Sequence, residues 1–350
     1  MTDGAARIYL DWNATAPLRP EARAAMIAAM EAANPSSVHA EGRAARAIVE
    51  RARAQVARAL GAEAADIVFT SGATEAAALA LAGRDLRSAG VEHDAVLAWT
   101  RVDLPVARDG RVTVTDPARA TLQLANSETG ILQDLPRGLA VADLTQGFGK
   151  IPFGFDAFGI DIGLISAHKI GGPKGVGALV LRRGFDLAAQ IRGGGQEMGR
   201  RSGTENVPGI AGFGAAAEAA AADLAAGVWE KVAWIRDILD TGMASEAKET
   251  IFVGKESPRL PNTTCLLTPG WKGETQVMQM DLAGFAVSAG SACSSGKVRS
   301  SRVLAALGFE PNEAASAIRV SIGPETTIEA VERFVAAWSA AHKRFRRRAA

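Results

Sequence analysis

Two stretches of the chain place reactive side chains where chemistry can use them. From Asp161 to Leu181 the sequence reads Asp-Ile-Gly-Leu-Ile-Ser-Ala-His-Lys-Ile-Gly-Gly-Pro-Lys-Gly-Val-Gly-Ala-Leu-Val-Leu. This pattern predicts an apolar strand ending at Ser166, His168 and Lys169 at the strand end, a glycine-rich loop and a second apolar strand. An amine at a sheet rim, desolvated on one side and flanked by a second cation at Lys174, is what a Schiff-base lysine needs to be partly unprotonated near neutral pH. A surface lysine on a tight hairpin fits the same residues. The second stretch, Val287-Ser-Ala-Gly-Ser-Ala-Cys-Ser-Ser-Gly-Lys297, sets Cys293 among small polar residues. That setting suits an exposed nucleophile, and Lys297 is placed to favour its thiolate. Cys265 lies instead in the apolar run Thr-Thr-Cys-Leu-Leu and reads as a buried structural thiol.

The elements that must position these groups can be read in order. Residues 7–15 are strand-like, 20–31 predict a helix with Pro20 at its start, and 38–60 an amphipathic helix stopped by Gly61. A strand over 66–70 runs into Ser71-Gly-Ala-Thr-Glu75 and an alanine-rich helix. Backbone N–H groups and the helix dipole would make an anion site there, with an ordinary capped helix start as the alternative. Short β-type pieces at 95–99, 112–114, 121–124, 139–143, 162–166 and 178–181 suggest a mostly parallel sheet covered on both faces, with its ligand site at the strand C-termini. His93, Asn126, Asp143, Gln146, Ser166, His168 and Lys169 all fall next to strand ends. Each alone most often serves as a cap or turn; the shared position is the signal. Residues 192–206 form a glycine-rich polar loop of the kind that binds a ligand or crosses a subunit interface. Helices follow from 208 through the 240s. A smaller α+β unit starts near 251, with strands at 263–267, 285–288 and 318–321 and a closing helix at 327–344.

Bulk properties remove several classes. The 350 residues carry 39 Lys+Arg against 38 Asp+Glu, a formal charge of +1, which argues for neither a nucleic-acid nor a membrane partner. The basic run from Lys343 to Arg348 reads as a solvated helix end, with a docking patch for an acidic protein as the alternative. Two cysteines and no apolar leader-like segment argue against a disulfide framework or a secretory signal and make a cytoplasmic location the expectation.

Taken together, Leu-Asp-Trp-Asn-Ala-Thr, Asn-Pro-Ser-Ser-Val-His, Thr-Ser-Gly-Ala-Thr-Glu, Glu-His-Asp-Ala-Val-Leu, Ser-Ala-His-Lys, Arg-Ser-Gly-Thr-Glu-Asn and Ser-Ala-Gly-Ser-Ala-Cys resemble, in order, the group I cysteine desulfurases. These are pyridoxal-phosphate-dependent enzymes of fold type I, and the resemblance spans nearly the whole chain. It implies an α/β large domain (16–248) with a mostly parallel sheet of seven-stranded type covered by helices. It further implies a smaller α+β domain (249–350) carrying the Cys293 loop, and an N-terminal arm (1–15) joining that smaller domain. By resemblance, Lys169 holds the cofactor, His93 stacks on its ring, Asp143 pairs with the ring nitrogen and Gln146 bonds the ring oxygen. Ala73, Thr74, Ser166 and His168 match the phosphate cradle, Thr204 a residue lent by the neighbouring subunit of a homodimer, and Asn126 and Arg319 the groups that hold the substrate carboxylate, with Asn34 assisting. The implied reaction converts L-cysteine to L-alanine with a persulfide on Cys293, for an iron–sulfur scaffold or another acceptor protein. No permanent metal is expected, only transient iron–sulfur contact through Cys293.

Selenocysteine lyase is the nearest rival reading, and an aminotransferase or decarboxylase of the same fold type would leave the Cys293 loop without a job. The chain also departs from the family pattern. Only about thirty residues separate His93 from Asn126, and 132–143 leaves little room for a crossover helix. The expectation is a sheet less covered on one face, or covered by a partner, and a non-catalytic scaffold is the reading this shortening permits. Ser127, Thr129, Met198 and Pro324 are local variations with no functional account.

Overall fold

The computed structural model describes residues 7–290 and 301–349; Cys293 and Lys297 lie outside the described residues. In chain order the strands are β1 (Ile8–Tyr9), β2 (Ala65–Thr70), β3 (Arg87–Ala89), β4 (Arg101–Leu104), β5 (Thr121–Gln123), β6 (Val141–Asp143), β7 (Ile162–Ser166), β8 (Gly177–Arg182), β9 (Ile251–Phe252), β10 (Thr263–Leu267), β11 (Phe285–Ala286), β12 (Ser288–Ala289) and β13 (Ala317–Ser321). The first six α-helices are α1 (Pro20–Ala28), α2 (Ala40–Leu60), α3 (Ala73–Leu81), α4 (Asp94–Leu97), α5 (Phe155–Phe158) and α6 (Val207–Ala225). They are followed by α7 (Val228–Glu246), α8 (Gly273–Leu282), α9 (Arg302–Ala306), α10 (Pro311–Ala314) and α11 (Ile328–Ala349).

The main layer is a sheet of five strands ordered β2-β8-β7-β6-β5. This corrects the expected seven-stranded, mostly parallel sheet. β5, β6 and β7 run parallel, but β8 is antiparallel to both β7 and β2. The cause is local: the Lys169 segment joins β7 to β8 as a hairpin, with no crossover to turn the chain around. β3 and β4 form a separate parallel pair, and Arg87 of β3 bridges to Ala120, the residue before β5. Residues 95–99, expected to be extended, form α4 and its following turn. Its start is set when His93 Nδ1 accepts the Ala95 N–H at 3.1 Å. Residues 112–114 contribute only the bridge Val106–Val112.

No helix occupies 124–140, so β5 reaches its parallel neighbour β6 by an irregular crossover. The sheet is nonetheless covered, against expectation: all residues of β5 and β7 are buried. On one face lie α1, α2 and α6, on the other α3 and α4. α2 shows why these residues form a helix. His39 accepts the Gly42 N–H at the N-cap, and Ala45, Val49, Ala52, Val56 and Leu60 form one buried stripe. Gly61 then ends the helix at φ +60°. At its crossing with α6, a Cβ on Gly214 would stand 2.7 Å from Ala52 Cα, so the close approach requires glycine.

The second sheet is antiparallel, β12-β13-β10-β9, and packs on α7, α8 and α11 through Trp229, Trp271, Phe334 and Trp338. The single strand expected over 285–288 is two: β11 pairs with β1 in parallel, and after Val287 the chain switches to β13 as β12. Cys265 is buried on β10 and its thiol is pushed up to about 12 by burial, in keeping with a structural role. Among the described residues no helix is long and apolar enough to cross a membrane.

Candidate active site

The C-terminal ends of β6 and β7, the start of α3, and β13 surround a cavity of about 530 Å³. Lys169 enters it from the turn after β7. Its Nζ donates to the main-chain oxygens of Asn13 at 2.7 Å and Ala14 at 2.9 Å, so the N-terminal segment orients the amine. His168 lies beside it, its Nδ1 3.1 Å from Thr15 Oγ1. Burial, then the charges of Lys169, Lys174 and Lys150, push this imidazole down to about 4, so it is neutral at physiological pH.

At the mouth of α3 the backbone is ready for an anion. Gly72 is the N-cap, at φ +156°, and no side chain caps the helix. The first-turn residues Ala73 and Thr74 line the cavity together with Ser166 and His168. Asp143 ends β6 and accepts the Thr145 N–H at 2.9 Å. Next to it Glu92 is buried, its Oε1 accepting the Gln123 N–H at 2.6 Å while Oε2 has no hydrogen-bond partner. Burial, then the charge of Asp143, push the Glu92 carboxyl up to about 8.

Arg319 comes from the second sheet. Its guanidinium is 3% exposed and donates to Asp11 Oδ1 at 2.7 Å, Ser127 O at 2.9 Å and Ser288 Oγ at 3.2 Å. Its Nε is buried without a partner. A donor left over in an otherwise satisfied guanidinium at a cavity wall suits an incoming carboxylate.

The profile of the aminotransferase class-V family matches residues 8–107 and 111–334. A cysteine desulfurase from Cereibacter sphaeroides is 39% identical, over 94% of each chain. The cysteine desulfurase IscS of Dictyoglomus turgidum is 36% identical, over 92% of this chain and 91% of that one. A NifS-like protein from Rickettsia africae, known by X-ray structure, superposes with a TM-score of 0.86 at 32% identity, covering 96% of this chain and 99% of its own. The chain belongs to the cysteine desulfurase family. These are pyridoxal-phosphate-dependent enzymes within aminotransferase class V.

Of the residues matched to the family by sequence, Ala73, Thr74, His93, Asp143, Gln146, Ser166, His168, Lys169 and Arg319 line the one cavity. Three do not. Asn126 is buried beside it, with Nδ2 donating to Val91 O and Oδ1 accepting from Glu128 N, Thr129 N and Thr129 Oγ1. Thr129, a local variation in sequence, thus helps tie Asn126 to its own turn. Asn34 is exposed, bonded to Ser36 N, and Thr204 is exposed on the glycine-rich loop. Cys293, in the segment after β12, lies outside the described residues.

Sequence reasoning passed over Asn13, Lys150, Glu92 and Asp11. Asn13 is 1% exposed and links Ser321, Thr263, Asn262 and Ser127 to Gln146, Lys150 and Lys169. Lys150 and Gln146 carried a readable signal: two polar side chains four apart, which meet on one side of a helical turn.

Proposed function

We propose that the chain is a cysteine desulfurase that holds pyridoxal phosphate in this cavity and moves the sulfur of L-cysteine onto Cys293, releasing L-alanine. The observation that carries the reading is a single cavity that combines the Lys169 amine, the Asp143 carboxylate, an uncapped helix start and an Arg319 Nε with no partner. The residues fit the cofactor's chemistry: an anion cradle from Ala73, Thr74, Ser166 and His168, an amine for the carbonyl, and a carboxylate for the ring nitrogen. When bound, pyridoxal phosphate supplies an electron sink for negative charge on the substrate's α-carbon.

Lys169 Nζ would hold the cofactor through its carbonyl carbon and, when free, would serve as the base for the substrate's α-proton. Asp143 would keep the proton on the ring nitrogen, Gln146 would donate to the ring oxygen, and His93 would stack on the ring. Arg319 orients the substrate carboxylate; the assistance that the family resemblance implies for Asn126 and Asn34 would need both to approach a cavity that neither lines. The thiolate of Cys293 attacks the substrate sulfur: an S–S bond forms as the C–S bond breaks, and the electron pair left on carbon is protonated to give alanine. The persulfide passes to an iron–sulfur scaffold or another acceptor protein. Thr204, exposed and outside its own chain's cavity, supports a homodimer in which it serves the partner's site. The same reading divides the chain into an arm (1–15), a large cofactor-binding unit (16–248) and a smaller unit (249–350), supported by the separate sheets and the β1–β11 pairing.

The test is alanine release from L-cysteine with and without a thiol reductant, comparing the parent with Cys293→Ala while following cofactor absorbance. The expected result is turnover in the parent alone, with both proteins binding cofactor and changing colour on addition of cysteine. Alanine release by Cys293→Ala at the parent's rate, or no colour change in either protein, overturns the reading.

A further inference from the structure

Lys150 lies behind the cavity wall and is 2% exposed. Its Nζ donates to Gln146 Oε1 at 2.8 Å and to Asn13 Oδ1 at 3.3 Å, both neutral acceptors. Burial, then the charges of Lys169 and Arg319, the two cations that face it, push its amine well below the usual lysine range. An amine buried without a carboxylate is costly and contributes little to stability. Its geometry, however, bears directly on Gln146. An amide side chain can turn over and exchange oxygen for nitrogen, and here it is held from both ends. Gln146 Nε2 donates to the Asn13 main-chain oxygen at 2.9 Å, which can only accept, while Oε1 receives Lys150. The Nε2 group has two hydrogens. One is used on Asn13, and Gln146 lines the cavity.

We propose that Lys150 is a positioning residue: by occupying Gln146 Oε1 it keeps the amide nitrogen, not its oxygen, available to an anionic oxygen bound in the cavity. The inference rests on the proposed cofactor site and adds to it the residue that sets the polarity of one contact. The same lysine bonds the side chain of Asn13, whose main-chain oxygen also receives Lys169, so one buried amine steadies two groups at the site.

The experiment compares the parent, Lys150→Met, Lys150→Gln, Gln146→Leu and the Lys150→Met/Gln146→Leu pair. Three quantities are read: thermal unfolding of the cofactor-free protein, the dissociation constant for pyridoxal phosphate, and the pH midpoint of the bound cofactor's visible absorbance. Lys150→Met, close in length and apolar, is expected to unfold within a few degrees of the parent. It should bind the cofactor about three- to tenfold more weakly, the loss typical of one misplaced buried hydrogen bond. Its absorbance midpoint should move to higher pH, because an oxyanion without its donor is more basic. Lys150→Gln, one bond shorter but still a donor, should recover part of both changes. In the Gln146→Leu background Lys150→Met should add almost nothing, since its effect runs through that amide.

Two results overturn the proposal: Lys150→Met matching the parent in affinity and midpoint, or effects of Lys150→Met and Gln146→Leu that simply add. A parent that takes up no pyridoxal phosphate sinks the cofactor site itself, and the role of Lys150 with it. A parent that binds normally beside an unchanged Lys150→Met removes only the role of Lys150 and leaves the cofactor site standing.

Discussion

Glu92 is buried beside Asp143 at the end of the sheet, and burial lets it keep its proton well above the ordinary carboxyl range. Its folded value of about 8 stands above the 4.5 of an unhindered glutamic acid. Between those values the unfolded chain has released the proton that the folded chain still holds, so raising the pH favours unfolding by about 1.4 kcal/mol per unit. Glu92→Gln removes that dependence. Urea unfolding of the cofactor-free proteins at pH 5, 6.5 and 8 should show the variant gaining on the parent at each step; parallel curves would refute the assignment. Glu92 precedes His93 in Glu-His-Asp-Ala-Val-Leu, yet nothing in that run says that its oxygen ends without a partner. Burial depends on which segments close over a residue, and Gln123, whose N–H it accepts, is thirty-one positions away. Lys169 was legible only together with the rest of the chain: its own stretch fits a surface lysine on a hairpin equally well, and it is the other polar groups at strand ends that single it out. Asn13 was not, because its seven side-chain and backbone partners come from five distant segments.

At the scale of elements, the start of β8 must pass flush against the start of α3. A Cβ on Gly177 would lie 2.7 Å from Gly72 Cα and C and 2.7 Å from Ile165 O, all backbone atoms that have little room to yield. Gly177→Ala should therefore cost about 1–3 kcal/mol by overpacking and, by displacing Gly72, weaken pyridoxal phosphate binding. Gly154→Ala, where a Cβ meets nothing within 4 Å, should leave both unchanged and serves as the control. Thermal unfolding and a cofactor titration read both effects. Strands such as 162–166 and 263–267 were visible in sequence because apolar runs of that length bounded by turn residues have one easy home. Their directions were not, because a ten-residue loop that doubles back and a crossover that does not look alike in composition. Val112–Val114 failed for a related reason: extended residues become a strand only when a neighbour offers a matching edge, and here only one bridge forms.

Across the whole molecule, two ion pairs hold the N-terminal segment, and they are unequal. Asp11–Arg319 is buried, at 17% and 3% side-chain exposure, while Arg7–Asp281 is more than half exposed at both ends. Asp11→Ala leaves a buried guanidinium without its counter-charge and should cost about 3–5 kcal/mol. Asp281→Ala should cost less than about 1 kcal/mol. Denaturant unfolding separates the two, and equal losses would contradict the burial argument. The same junction governs when the site can come into being. A ribosome that has completed β8 has already made Lys169, Asp143 and Gln146, but none of the strand residues that seat Asn13. Arg319 is 308 positions beyond the aspartate it meets. Cofactor capture is accordingly expected only once β13 has been made, and a nascent chain stalled before β13 should emerge colourless however much pyridoxal phosphate surrounds it.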